Sequence, residues 1–147
     1  IKSLEAQLLA WHRESALSQR LQTIPGVGVL TATAMAASIP DATLFRSGRQ
    51  FAAFLGLVPK QNSSGGKERL GGISKMGDPY LRTLLVNGAT SVVRRITTAE
   101  GPTAIWIRRL LEKKPTRLAT VAIANKTARI VWAVMARGEE YRKPAMG

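Results

Sequence analysis

Two adjacent serines, Ser63 and Ser64, stand beside a pair of glycines in a stretch that is rich in cations. Four basic residues flank them: Lys60, Lys67, Arg69 and Lys75. A hydroxyl can attack a phosphodiester where glycines leave it accessible and where ammonium and guanidinium groups neutralise the charge that develops on the phosphate. A serine hydroxyl is a weak nucleophile by itself and needs a base or a metal ion to take its proton. No such group stands near these serines in the sequence, and a flexible linker is the commoner role of Ser-Ser-Gly-Gly.

The same stretch does not match other phosphate sites. Lys67 follows two glycines as in a P-loop, but the spacing differs and Glu68 stands where that motif requires Ser or Thr. The sequence has no cysteine and one histidine, His12, so no cluster of thiolate or histidine ligands and no Ser-His-Asp triad can form within it. Its nine acidic residues are scattered and suggest no carboxylate site. We therefore expect no metal ion or other cofactor in this chain.

A turn near the start of the chain is a second candidate for phosphate binding, at Gly26, Val27 and Gly28. Pro25 disfavours helix at Ile24, and the glycines permit positive φ and close approach of another backbone. An alanine-rich run that favours helix follows. Helix, Pro-Gly-Val-Gly turn and helix are typical of a helix-hairpin-helix motif, whose exposed N–H groups bind a phosphate. A plain helical hairpin without a ligand is the alternative.

The net charge predicts a polyanionic partner. Lys and Arg number 22 against 9 Asp and Glu, which leaves +13 at pH 7. Such an excess favours the backbone of DNA or RNA, which releases counterions when cations neutralise its phosphates. Most of the excess follows Val58, so the partner surface is predicted there. No membrane partner is expected, because the cations are spread over several segments and no uninterrupted apolar run is long enough to span a bilayer.

The elements that must position these residues are predicted to be helices. Apolar residues recur at helical spacing, and no useful length alternates as a strand would. Asp78-Pro79 predicts a helix start, because Asp is a good N-cap and Pro suits the first helical position. We therefore predict an all-α fold in which residues 60–77 form a long Gly/Ser-rich basic loop. Residues 1–20 are predicted to be the end of a coiled-coil or linker helix, residues 21–138 a helical domain, and residues 139–147 a tail.

Six blocks, in this order, make the sequence resemble a known family. The blocks are Ile24-Pro25-Gly26-Val27-Gly28, Phe45, Phe54-Leu55-Gly56-Leu57-Val58-Pro59, Ser63-Ser64-Gly65-Gly66-Lys67, Ile73-Ser74-Lys75-Met76-Gly77-Asp78 and Leu81-Arg82-Thr83-Leu84-Leu85. Their order and spacing resemble the C-terminal transposase domain of the IS-one-ten (IS110) family. These are bacterial insertion-sequence recombinases that include Piv-type DNA invertases and bridge-RNA-guided enzymes. The resemblance covers roughly residues 20–95 and is more specific than any single motif.

The resemblance implies roles for individual residues. A serine of the Ser-Gly-Gly loop would form a covalent phosphoserine link to DNA, and by position that serine is Ser64, with Ser63 as the second choice. The surrounding cations would hold phosphates of DNA or of a guide RNA; these are Lys67, Arg69, Lys75 and Arg82. Lys60 and the turn residues named above complete the set of predicted nucleic-acid contacts. Met76 departs from the pattern, because many relatives have a basic residue there.

The resemblance also implies a larger protein. An N-terminal RuvC-like domain with four carboxylates would bind Mg²⁺, and a coiled coil would join it to this domain. The whole protein would act on DNA in the bacterial cytoplasm as a homodimer or homotetramer, and in the guided members with a bridge RNA. We expect the helix that begins at Ile1 to be the cut end of a longer one, and this chain alone to bind nucleic acid without recombining it.

Two other functions also fit part of the sequence. A non-catalytic helix-hairpin-helix module of a repair or replication protein would explain the turn and the charge. An RNA-binding protein of ribosomal type would explain the charge but not the ordered Ser-Gly-Gly block. An acidic RuvC-like segment encoded upstream of Ile1 would favour the transposase, whereas a chain that starts near Ile1 would favour the binding module.

Overall fold

The computed structural model describes residues 2–58 and 78–142, and all regular secondary structure in those residues is helical. The α-helices are α1 (Lys2–Glu14), α2 (Ala16–Gln22), α3 (Val29–Ser38), α4 (Gly48–Phe54), α5 (Pro79–Arg94), α6 (Pro102–Lys113) and α7 (Thr116–Arg137). A short 3-10 helix, Ala42–Leu44, lies between α3 and α4. The predicted all-α fold is confirmed. The predicted loop over residues 60–77 lies outside the described residues.

The long helix α7 forms the centre of the core. It packs against α2, α4, α5, α6 and the 3-10 helix, and its buried face includes Ile123, Ala124, Ala128 and Val131. Alanines on this face let neighbouring backbones approach closely. By length and composition α7 could cross a membrane, but half of its most apolar window is buried inside the protein. Because that face is covered by other helices, α7 is the core helix of this domain.

Local sequence signals set the helix boundaries. Asp78 caps α5, since its Oδ1 accepts hydrogen bonds from the N–H groups of Tyr80 at 2.9 Å and Leu81 at 3.2 Å. Pro79 occupies the first helical position. Gly138 follows α7 with φ of 67°, the left-handed conformation that ends many helices. The helix start predicted at Asp78-Pro79 is confirmed.

The segment over residues 1–20, predicted to be the end of one helix, is divided between two helices. It stops at Glu14, and the side chain of Ser15 accepts a hydrogen bond from the Ser18 N–H as the N-cap of α2. In α1, His12 is buried, whereas Leu4 and Trp11 are 64% and 42% exposed. Helix α1 packs against α2 and α3. Leu4 and Trp11 belong to an apolar stripe of α1 that the other described helices do not cover.

Candidate nucleic-acid interface

The predicted site residues fall into two groups. Ser63 and Ser64, with the cations Lys60, Lys67, Arg69 and Lys75, lie in residues 59–77, outside the described residues. The turn residues Gly26, Val27 and Gly28 and the cation Arg82 lie within them. The structure therefore describes the helices on either side of the serine segment and the proposed phosphate turn.

The turn packs directly against α5. Gly26 has φ of +89°, and a Cβ added at Gly88 of α5 would lie 2.0 Å from the Gly26 carbonyl oxygen. The contact requires glycine at Gly88, because a Cβ there would overlap the turn, whereas at Gly26 it is the positive φ that favours glycine. Val27 is buried, and its N–H donates to the Ile24 carbonyl at 3.0 Å. Gly26 and Val27 thus attach the turn to the protein.

Gly28 is the turn residue that faces open space. It is exposed, and a Cβ added there would meet no atom within 4 Å. It forms the N-cap of α3 without a side-chain cap, and its carbonyl accepts the first hydrogen bond of the helix, from Ala32 at 2.9 Å. The N–H groups of the first helical turn have no acceptor within an α-helix. The structure thus leaves room for an anion at Gly28, as a helix-hairpin-helix contact requires.

Two side chains hold the chain that leads into the serine segment. After α4 ends, Leu55 and Leu57 are buried, with Gly56 between them at φ of +76°. Arg82 of α5 donates from Nη1 to the Leu55 carbonyl at 3.3 Å. Asn125 of α7 donates from Nδ2 to the Leu57 carbonyl at 3.2 Å.

These contacts change the interpretation of two residues. Arg82 was predicted to hold a phosphate, and the structure gives its guanidinium a protein acceptor as well. At least one of the five N–H donors of this guanidinium is therefore used to hold the Leu55 carbonyl. Sequence reasoning missed Asn125. The available signal was an amide in the middle of a helix otherwise rich in alanine and apolar residues.

A basic corner lies where α6 meets α7. Its four cations are exposed: Arg109, Lys113, Lys114 and Arg117. The neighbouring Arg108 is different, since its Nη2 donates to the Ile96 carbonyl at 2.8 Å and to the Ala99 carbonyl. Arg108 therefore holds the end of α5, whereas the other four can meet a partner. The sequence predicted the partner surface after Val58 but did not locate it at this corner.

A cleft of about 840 Å³ opens between α6, α7 and the end of the described chain. Trp106 and Lys126 line it, with the Lys126 Nζ 5.1 Å from the centroid of the indole ring. Glu139 and Glu140 also line it. Tyr141 lines it from the chain that follows α7, and burial raises the pKa of its phenol. Because acidic and basic groups share this cleft, it is a poorer fit for a polyanion than the basic corner.

The described residues contain no cluster of three potential metal ligands. In residues 2–58 and 78–142, no three Asp, Glu or His side chains come together. Asp41 accepts hydrogen bonds from Thr43, which lower the pKa of its carboxyl group, and Asp78 caps α5. Those two carboxylates serve local backbone structure.

Comparison with known proteins gives consistent matches. A family model described as "Transposase IS116/IS110/IS902 family" matches residues 18–103. The chain is 51% identical over 142 residues to a "Probable family 20 transposase" of Pseudomonas aeruginosa, covering 97% of this chain and 42% of that one. It is 45% identical over 142 residues to the "Transposase for insertion sequence element IS1111A" of Coxiella burnetii, covering 97% and 39%.

A third relative extends the comparison. The chain is 40% identical over 143 residues to the "Transposase for insertion sequence element IS1328" of Yersinia enterocolitica, covering 97% and 43%. The chain thus spans about two fifths of the length of these curated relatives. No solved structure matches the chain.

Proposed function

The chain belongs to the IS116/IS110/IS902 family of transposases, and we propose that it forms the part of such an enzyme that binds DNA and joins strands, with Ser64 as the nucleophile. The observation that carries the proposal is the Ser-Ser-Gly-Gly sequence among cations in a chain of this family. Ser63 is the second candidate for the same role. As a whole enzyme the protein acts as a site-specific DNA recombinase.

The proposed step is a transesterification at a phosphodiester. The Ser64 Oγ attacks phosphorus and forms an Oγ–P bond, while one bridging P–O bond of the DNA strand breaks. The departing sugar oxygen gains a proton, and the serine hydroxyl gives up its own to a base. The phosphodiester energy is kept in the phosphoserine link, so a sugar hydroxyl of another strand can reverse the step and join the two strands.

Cations supply the electrostatic part of this step. Negative charge grows on the non-bridging oxygens as Oγ approaches, and ammonium or guanidinium groups held nearby stabilise it. Lys67, Arg69 and Lys75, with Lys60, stand closest to the serines in sequence. Arg82 follows the segment by a few residues, in the first turns of α5. Exposed cations farther away, at the basic corner, hold the DNA backbone without reading its sequence.

A partner module completes the reaction. The described residues contain no group of three carboxylate or imidazole ligands, and we infer that a RuvC-like part of a longer protein would hold Mg²⁺ and would help to activate the serine. The span of the chain, about two fifths of its relatives, leaves room for such a part. This chain alone is then expected to bind DNA without recombining it. The same surface would serve a guide RNA, in a homodimer or homotetramer of the whole protein.

The test compares two serine variants in a full-length transposase that carries this chain. Ser64→Ala removes the nucleophile and should abolish covalent DNA–protein adducts, while DNA binding stays within a few-fold of the wild type. Ser63→Ala is the matched control and should retain adduct formation. Adducts that persist in Ser64→Ala and disappear in Ser63→Ala would move the role to Ser63. Adducts that persist in both variants would contradict a serine mechanism and favour a non-catalytic binding module.

A further inference from the structure

The chain that enters the serine segment is held by both its side chains and its backbone. The side chains of Leu55 and Leu57 are 0% and 1% exposed, within the core. Their two carbonyl oxygens accept hydrogen bonds from Arg82 of α5 and Asn125 of α7. Gly56 makes the left-handed turn between them, and the Leu57 N–H donates back to the Ala52 carbonyl at 3.0 Å. Both the backbone and the side chains of this short stretch are therefore held in place.

The hydrogen bond from Asn125 is the contact that packing alone does not explain. It stands 68 residues from Leu57 in sequence and is half-buried on the central helix. An asparagine is a poorer helix former than the alanines around it, and partly burying its amide costs free energy unless the amide is hydrogen-bonded. An apolar side chain would satisfy the core at this position. What the amide adds is one directed hydrogen bond to the turn at Leu57, which precedes the serine segment.

The hydrogen bond between Asn125 and Leu57 affects the proposed nucleophile because few residues separate Leu57 from Ser64. Ser64 follows Leu57 by seven residues, and each residue spans at most about 3.5 Å. The position of residues 55–58 therefore limits how far from the core the Ser64 hydroxyl can lie. A misplacement of about 1 Å at a reacting centre can cost on the order of a hundredfold in rate.

We propose that Asn125 is a positioning residue for the strand-joining reaction, which it serves by holding the Leu57 carbonyl together with Arg82 at Leu55. This inference rests on the proposed function of Ser64. In this role Asn125 acts through the Leu57 backbone and not on the reacting atoms. It fixes the point from which the serine segment leaves the helical core.

A second hydrogen bond from the same helix provides a matched control. Trp132 of α7 donates from Nε1 to the Ala42 carbonyl at 3.0 Å, across 90 residues of sequence. Like the bond from Asn125, it joins a side-chain N–H of α7 to a distant backbone carbonyl. It differs in that Ala42 lies in the 3-10 helix rather than beside the serine segment. Trp132→Phe removes this donor and keeps most of the ring.

The experiment uses the full-length transposase with a duplex that carries the insertion-sequence end, and with its guide RNA where one is required. Asn125→Leu removes the amide and keeps a side chain of similar length. At a temperature where both variants are folded, we expect Asn125→Leu to form covalent adducts ten- to a hundredfold more slowly than the wild type. DNA affinity should change less than threefold. Trp132→Phe should keep its rate within about threefold.

The outcomes separate this inference from the proposed function. Equal rates in Asn125→Leu and Trp132→Phe would overturn the positioning role, because both would then act only through general stability. If Asn125→Leu does not fold, Asn125→Ala in the same comparison decides the question. Adducts that persist in Ser64→Ala would contradict the proposed function itself. Loss of adducts in Ser64→Ala with a normal rate in Asn125→Leu would contradict this inference alone.

Discussion

Two glycines make the contact on which the shape of the turn depends. Gly88 of α5 presents bare backbone to Gly26, and a Cβ at Gly88 would lie 2.0 Å from the Gly26 carbonyl oxygen and 3.0 Å from its carbonyl carbon. Because both of these atoms belong to the backbone, the overlap can be relieved only if the turn and the helix move apart. Such overpacking costs about 3 kcal/mol where the neighbour cannot yield.

We therefore predict that Gly88→Ala lowers the free energy of unfolding of the chain by about 3 kcal/mol. Gly28→Ala is the matched control, since φ is −94° there and no atom lies within 4 Å of the added Cβ. It should cost less than about 1 kcal/mol, the range expected at an N-cap. Urea unfolding followed by circular dichroism measures both. Similar losses for the two variants would contradict the close contact between the turn and α5.

At the scale of a residue, the residue types that could bind a phosphate were predictable from the sequence, but the residues that they contact in the fold were not. Gly26, Val27 and Gly28 were predicted as one phosphate-binding unit, yet the structure leaves only Gly28 in open space. The partner of Gly26 is Gly88, 62 positions later, and no local pattern shows that pairing. Asn125 was missed for the same reason, because its acceptor lies on a distant turn.

Helix α1 is joined to α2 by a buried histidine side chain, and Gln19 of α2 donates to the His12 and Arg13 carbonyls. His12 is buried, and its Nδ1 lies 2.7 Å from Ser18 Oγ while its Nε2 lies 2.9 Å from Gln22 Oε1. Both partners belong to α2. The apolar side chains of α1 are only partly covered, with Leu8 and Trp11 37% and 42% exposed.

We predict that His12→Ala loosens α1 without unfolding the domain. Loss of two hydrogen bonds that involve buried groups, each contributing about 1 kcal/mol, should raise amide hydrogen exchange over Lys2–Glu14 by tenfold or more. Exchange in α7 should not change. Arg13→Ala is the control, because that side chain is exposed, and it should leave exchange in α1 as it is. Equal exchange in the two variants would show that other contacts hold α1.

At the scale of an element, boundaries marked by strong local signals were predictable. Asp78-Pro79 marked the start of α5 because the cap and the proline act within a few residues. The break between α1 and α2 was not predicted, although Ser15 caps α2 by the same kind of bond. A serine at the cap position is a weaker signal without a proline or glycine beside it. The path of residues 55–58 depends on Arg82 and Asn125 and could not be predicted locally.

For the whole molecule, the distribution of charge should decide how nucleic acid binds. The net charge is +13, and the sequence places most of the excess after Val58. The structure adds that Lys113, Lys114 and Arg117 are exposed together at the corner of α6 and α7. Three exposed cations of the first half, Arg13, Arg46 and Arg49, provide a comparison of equal charge.

We predict different salt dependences for two triple variants of this chain bound to duplex DNA. Replacing Lys113, Lys114 and Arg117 with Gln should reduce the slope of log K against log salt by about 2.7, since each phosphate contact contributes about 0.9. Replacing Arg13, Arg46 and Arg49 with Gln should reduce it by less than about 1. Equal reductions would mean that the chain attracts DNA by net charge alone, without a defined surface.

The central claim is that a serine of this chain becomes joined to DNA, and the attachment site can be read directly. Full-length transposase carrying this chain is reacted with insertion-sequence end DNA, denatured, and digested with protease and nuclease. Mass spectrometry then identifies the peptide that bears a nucleotide. We predict a phosphodiester-linked nucleotide on Ser64. A nucleotide on a tyrosine, or strand exchange that proceeds with no nucleotide on any peptide of this chain, would contradict the account.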